Sequence, residues 1–172
     1  MTGADNQQER LDGYIAGYVD GEGSFSVVVN RNPTCRSGYQ LVPEFHVSQN
    51  GDRAQVLALI QARFGGCGYI KPNGKKDRTL VFVVRRREDL LTRVIPFFEQ
   101  QPLLSSKHED FEKFARIVRA MAAGHHHSAS GFEELLAEAL SMNGEGRFRK
   151  VRWREVIPSY PESSETVRRT SG

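Results

Sequence analysis

The sequence predicts an α+β domain in which four antiparallel strands are covered on one face by helices, in the order α-β-β-α-β-β-α. Three observations predict it: two pairs of short strands, helical apolar spacing between and after the pairs, and breaks rich in Gly, Pro and Asn at the junctions. With 172 residues, 38% apolar and 26% charged, the chain fits one domain able to bury a real core.

The first element is a helix over residues 8–20, in which Gly13, Gly17 and Gly21 recur every four positions and Ala16 lies beside the middle one. That spacing sets small residues along one face, where another backbone can approach closely. An isolated glycine costs a helix about 1 kcal/mol, so several within two turns need a packing reason. The helix is expected to stop at Asp20-Gly21-Glu22-Gly23, whose glycines permit an abrupt end. Residues 24–30 then alternate as Ser-Phe-Ser-Val-Val-Val-Asn, a strand with one polar face. Turn chemistry from Asn32-Pro33 to Ser37-Gly38 leads to a second strand at 39–49.

Residues 52–64 read as a helix turning Val56, Leu57, Leu59, Ile60 and Phe64 to the core, closed by Gly65-Gly66. Strands at 68–71 and 79–85 flank a turn from Pro72 to Asp77, and a helix at 88–98 follows. Phe111, Phe114, Val118 and Met121, then Phe132, Leu135, Leu136, Ala139 and Leu140, mark two C-terminal core helices. The domain is expected over 8–157, with an N-terminal arm at 1–7 and a flexible tail at 158–172, rich in Ser, Glu, Thr and Arg.

The net charge is only +3 although the pI is near 9.0, so an anionic partner must be met by a local basic surface. No run of eighteen apolar residues suits a membrane span, and the polar N-terminus lacks a signal core. A cytoplasmic chain with no membrane partner is the expectation, or one in an organellar matrix if the host gene is organellar. Cys35 and Cys67 lack zinc-ligand spacing and read as free thiols. Phe64-Gly65-Gly66-Cys67-Gly68 lacks the lysine and serine of a P-loop, and His125-His126-His127 reads as a loop. Asp20 and Glu22 are hard oxygen donors of the kind Mg²⁺ takes. By residue type alone, the same stretch also reads as a helix-to-strand turn with two solvated acids.

The segment Tyr14-Ile15-Ala16-Gly17-Tyr18-Val19-Asp20-Gly21-Glu22-Gly23-Ser24-Phe25 resembles the signature motif of the LAGLIDADG homing endonucleases. Gly17 matches its first glycine, Asp20 its first acid and Glu22 its second. The resemblance implies that two motif helices pack across a two-fold axis and deliver each second acid to a shared metal site. A single motif implies a homodimer, with Gly13, Ala16, Gly17 and Asp20 at the interface. It further implies Glu22 as metal ligand beside the Gly21 carbonyl, Mg²⁺ as cofactor with Mn²⁺ as substitute, and Ca²⁺ supporting binding without cleavage. Asp20, the rival ligand, is expected to be structural.

Two shorter stretches extend the likeness. Phe45 to Arg53 resembles a strand end where a glutamine and a basic residue four positions later organise water at the scissile phosphate, which points to Gln49 and Arg53. Pro102 to Phe111 resembles the segment carrying the family's active-site lysine, which points to Lys107. On residue type alone these are a polar strand end, a helix-start arginine and a first-turn lysine, a placement the helix dipole disfavours.

The implied function is site-specific double-strand cleavage of a long pseudo-palindromic DNA target by a mobile-intron endonuclease. The alternative is an intron RNA-binding maturase or a non-cutting regulator on the same fold. The DNA surface is expected on the polar sheet face and its turns: Ser24, Ser26, Asn30, Asn32, Arg36, Gln40, Glu44, His46, Lys71, Asn73, Lys75, Lys76, Arg78 and Arg85. A basic run around Trp153 (Arg147, Arg149, Lys150, Arg152, Arg154) adds charge near the C-terminus.

Overall fold

The computed structural model describes residues 3–74 and 78–145. Lys75, Lys76, the basic run around Trp153 and the expected tail lie outside the described residues.

Helix α1 spans Gly3–Glu22 and is longer than expected at both ends. Residues 3–7, expected as an arm, are its first turns, and Glu22 is its last residue. The expected glycine stop is corrected as well, because neither Gly21 nor Gly23 takes a positive φ. Gly23 is required by space: a Cβ there would lie 2.5 Å from Val19 Cγ1 and 2.8 Å from the Val19 carbonyl oxygen.

Strand β1 (Gly23–Arg31) follows at once and pairs antiparallel with β2 (Tyr39–Asn50), Gly23 opposite Val47 and Arg31 opposite Tyr39. A 3₁₀ turn, Gly51–Arg53, leads into α2 (Gln55–Arg63). Leu57, Ile60 and Phe64 are buried as expected. Leu59 is 39% exposed, because two residues past Leu57 a helix has turned about 200°. Strands β3 (Tyr69–Pro72) and β4 (Thr79–Val84) complete an antiparallel sheet in the order β1-β2-β4-β3.

The helix expected at 88–98 is present but not uniform. It runs as α3 (Arg87–Asp89), a π-helical turn (Leu90–Val94) and α4 (Ile95–Gln100). Pro96 has no N–H, and its ring crowds the carbonyl four residues back, at Thr92; a widened turn relieves that clash. Helices α5 (Lys107–Ala122) and α6 (Ala129–Leu140) carry the two expected C-terminal stripes. Ser128 caps α6 by accepting from the Gly131 N–H at 3.0 Å. His125–His127, expected as a loop, forms a 3₁₀ turn.

The core lies between one sheet face and the helices. Phe25 is its hub, with ring centroids 5.2–5.4 Å from Phe45, Phe98, Phe111 and Phe114. The opposite sheet face alternates outward along β1 and β2. It is less polar than the sequence suggested: Val81 and Val83 are buried yet lie outside the main core cluster. Ser48 and Lys71 flank Val81 in register, and His46 and Tyr69 flank Val83.

One ion pair fastens the long first helix to the layer. Asp12, 8% exposed, receives Arg63 Nε at 2.6 Å and Nη2 at 2.7 Å, with Gln8 adding a bond at 2.8 Å. The Arg63 hydrogen bonds hold the Asp12 carboxyl below the usual carboxylate range, against the opposing effect of burial. Asp12→Asn is expected to cost about 1–3 kcal/mol, read as a lower denaturant midpoint. A lowered folded-state pKa means this contribution is complete above the unfolded carboxyl pKa and lost as pH falls through the folded value. The gap between wild type and variant should therefore narrow on acidification.

Candidate active site and nucleic-acid interface

Gly13, Gly17 and Gly21 form one exposed strip of α1, and a Cβ added at any of them would meet nothing within 4 Å. Nothing among the described residues calls for glycine there, although each weakens the helix. Tyr14, 53% exposed, borders the strip. Ala16 does not belong to it. It is buried with Ile15 and Val19 in the chain's own core, because one residue's turn of about 100° separates it from Gly17. Asp20 also faces its own chain. Its carboxylate accepts from the Leu104 N–H at 3.2 Å, the Ser105 N–H at 3.0 Å and the Ser105 hydroxyl. Burial pushes the Asp20 carboxyl up, but these bonds and Lys107 together bring it below its ordinary value.

Glu22, at the end of the same helix, is exposed and has no hydrogen-bond or ion-pair partner among the described residues. The two acids of the motif are therefore sorted by geometry, one tied into the fold and one open. No group of three or more His, Cys, Asp or Glu side chains converges among the described residues. At this helix end the described residues bring one open carboxylate beside the Gly21 carbonyl, both hard oxygen donors of the kind Mg²⁺ takes.

Two further expected residues gather at this helix end. Lys107 Nζ donates to the Val19 carbonyl at 3.0 Å. That oxygen is among the last four of α1, which lack partners within the helix. The first-turn placement in α5 is thus offset by an interaction with the negative end of α1. Burial lowers the Lys107 ammonium below the usual lysine range, opposed by the charges of Asp20, Glu22 and Asp110. Gln49 donates from Nε2 to the Tyr18 hydroxyl at 2.6 Å and accepts the Asn50 N–H at 2.7 Å. Burial raises the Tyr18 phenol, the Gln49 bond opposes the rise, and the Glu22 charge adds to it. Arg53 is exposed on the 3₁₀ turn, and no hydrogen bond or ion pair joins it to this group.

Sequence reasoning missed Tyr18 and Ser105. The signal for Tyr18 was its place one residue after Gly17, and Ser105 gave none, lying 85 residues from the acid it holds.

On the outward sheet face, Ser24, Ser26 and Asn30 of β1 stand opposite His46, Glu44 and Gln40 of β2. Asn32, expected to continue that row, instead begins the turn: its Oδ1 accepts the Thr34 N–H and hydroxyl at 3.1 and 2.6 Å, and its Nδ2 donates to Gln40 at 3.2 Å. Arg36 is exposed on that turn, and Lys71, Asn73 and Arg78 are exposed at the opposite hairpin. Lys71 Nζ lies 5.9 Å from the Tyr69 ring centroid. Glu44 is not a free acceptor, being paired with both Arg85 and His46. A cavity of about 480 Å³ opens elsewhere, between the 34–37 turn and the start of α6, and none of Glu22, Gln49, Arg53 or Lys107 lines it.

Fold and site define a class: an α+β domain whose small-residue helix presents an acid at its end, beside an open antiparallel sheet. The sequence profile of the LAGLIDADG endonucleases matches residues 15–118. The chain belongs to that family. It is 32% identical over 146 residues to probable intron-encoded endonuclease 2 of Neurospora crassa, covering 84% of this chain and 32% of that protein. It is 34% identical over 108 residues to the homing endonuclease I-ApeII of Aeropyrum pernix, covering 63% and 62%. The chain spans 32% and 26% of the lengths of two Neurospora relatives. Among solved structures it is similar to the homing endonuclease I-TnaI, with TM-score 0.72, 39% identity and coverage of 77% and 87%. It is also similar to I-LtrWI bound to its target DNA, with TM-score 0.80, 32% identity and coverage of 88% and 49%.

Proposed function

We propose that this chain is a site-specific double-strand DNA endonuclease of the homing type, encoded by a mobile intron and acting as a homodimer on a long pseudo-palindromic target with Mg²⁺. It would act in the cytoplasm, or in the organellar matrix where its host gene is organellar. The names of its relatives, intron-encoded and homing endonucleases, support the reading, as does the relative solved on its DNA target. One observation carries it: an exposed Glu22, with no hydrogen-bond or ion-pair partner among the described residues, stands at the end of a helix whose Gly13-Gly17-Gly21 strip meets nothing among them that calls for glycine.

Pairing two such strips about a two-fold axis brings two copies of Glu22 together, and the symmetry gives one cut per strand. Mg²⁺ or Mn²⁺ held by Glu22 and the Gly21 carbonyl of each copy would activate water and neutralise charge at phosphorus, whereas Ca²⁺ supports binding alone. Tyr18 fixes the Gln49 amide, and Gln49 with Arg53 orders water at the phosphate. Lys107 stabilises the charge that develops on the phosphoryl oxygens. Incubation with the intronless allele of the host gene and Mg²⁺ should give one double-strand cut, and intact DNA in that reaction overturns the reading.

The sheet supplies the binding surface, since a two-stranded antiparallel ribbon fits the major groove with alternate side chains at base edges. Affinity should fall with salt at a log–log slope near −0.9 per phosphate contact, and Lys71→Ala should flatten that slope by about one unit on every sequence alike. Fluorescence anisotropy across a salt series reads both, and a salt-independent affinity would count against a polyanionic partner.

A further inference from the structure

The outward sheet face carries a charged cluster built across strands. Glu44 lies on β2, and because Phe45 pairs with Val84, the residue that meets Glu44 in register is Arg85, just past β4. The Glu44 side chain is 13% exposed and that of Arg85 is 47% exposed. Arg85 donates from Nε to Glu44 Oε2, while Glu44 Oε1 faces His46 Nδ1 at 3.4 Å. Ser26 stands opposite Glu44 on the remaining side. The carboxyl is held below its ordinary range by His46 first, against burial, and then by Arg85.

A glutamate that reads bases directly accepts the amino group of cytosine. With Oε2 taken by Arg85 and the side chain 13% exposed, Glu44 is poorly placed to do so. Arg85, by contrast, has its Nε–H taken and its two terminal nitrogens left over. Those are the donors that pair with guanine O6 and N7. Arg85 continues the outward period of Val81 and Val83, whereas Arg86 pairs with Glu88 at the start of α3.

We infer that Glu44 is a positioning residue for target recognition: it holds Arg85 as a pre-set fork that reads a guanine at one position of each target half-site. The inference rests on the DNA-binding reading above and deepens it. A guanidinium held before contact loses less freedom on binding than a loose one, so removing the carboxylate should cost discrimination at that base pair while leaving the charge in place.

The test is selection from a pool of fully randomised duplexes by the full-length chain in Ca²⁺, followed by sequencing of the bound fraction. Wild type should return a site with an invariant guanine. Arg85→Lys should lower the guanine preference at that position on the order of tenfold, because lysine keeps the charge but loses the fork. Glu44→Ala should relax the same position and no other, and Glu44→Gln, which still offers an acceptor to Nε, should restore most of it. A guanine that survives Arg85→Lys, or a Glu44→Ala variant that alters every position alike or none, overturns the inference and leaves the endonuclease reading standing. A wild type that selects no duplex at all removes both.

Discussion

Glu22→Gln is expected to abolish strand cleavage while DNA binding survives. The substitution keeps the size of the side chain and removes the negative charge that a divalent metal requires of its ligand. Glu22 is exposed and has no hydrogen-bond or ion-pair partner among the described residues, so the fold should lose little. The rate should drop by roughly 10²–10³-fold or more, the scale on which single preorganised electrostatic contributions act. Asp20→Asn makes the contrasting experiment. Its carboxylate accepts three hydrogen bonds from Leu104 and Ser105, so its loss should first loosen the segment ahead of α5, seen as faster amide exchange there. Cleavage and gel-shift assays on both variants separate the roles. A Glu22→Gln protein that cuts at the wild-type rate beside a dead but well-folded Asp20→Asn protein would reverse them.

Gly17→Leu should dissolve the proposed homodimer and with it cleavage of both strands. Among the described residues a Cβ there meets nothing within 4 Å, so the monomer should not suffer. Leucine is the better helix former by somewhat under about 1 kcal/mol, so the isolated variant should melt at or above the temperature of the wild-type monomer. Across the proposed two-fold axis the same side chain would wedge two helices apart. Overpacking typically costs about 1–3 kcal/mol, and a symmetric interface suffers it twice, which weakens dimerisation by roughly thirtyfold to 10⁴-fold. Light scattering and thermal melting together should find a stable, inactive monomer. A wild-type chain that cuts as a strict monomer would end the case for a shared site.

Much of this architecture was legible because its signals are local. Alternation gave β1 and β2 almost to the residue, and the stripes through Phe111 and Phe132 gave α5 and α6. The motif itself placed Asp20 and Glu22 at the helix end. Where the reading failed, the cause lay in contacts that no short window contains. Ala16 has the size for a helix crossing, yet its angle on α1 commits it to the core formed with Val19 and Ile15. The Asp12–Arg63 pair spans 51 residues and the Tyr18–Gln49 bond spans 31. Glu44 looked like a groove-facing acid until strand register brought Arg85 beside it. The π-helical turn followed from Pro96, a residue visible in the sequence but not given its steric consequence.

The tie between α1 and the start of α5 closes a small ring. Asp20 holds Ser105, the Ser105 hydroxyl accepts the Lys107 N–H at 3.1 Å, and the Lys107 ammonium returns to the Val19 carbonyl one residue before the aspartate. The lysine and the acid-bearing helix end are therefore tied to each other by hydrogen bonds. Substitutions on the outward sheet face, several strands away in the chain, do not enter this ring. If the sheet reads DNA as proposed, descendants of such a protein could drift toward new target sequences there while this helix end keeps its own internal ruler.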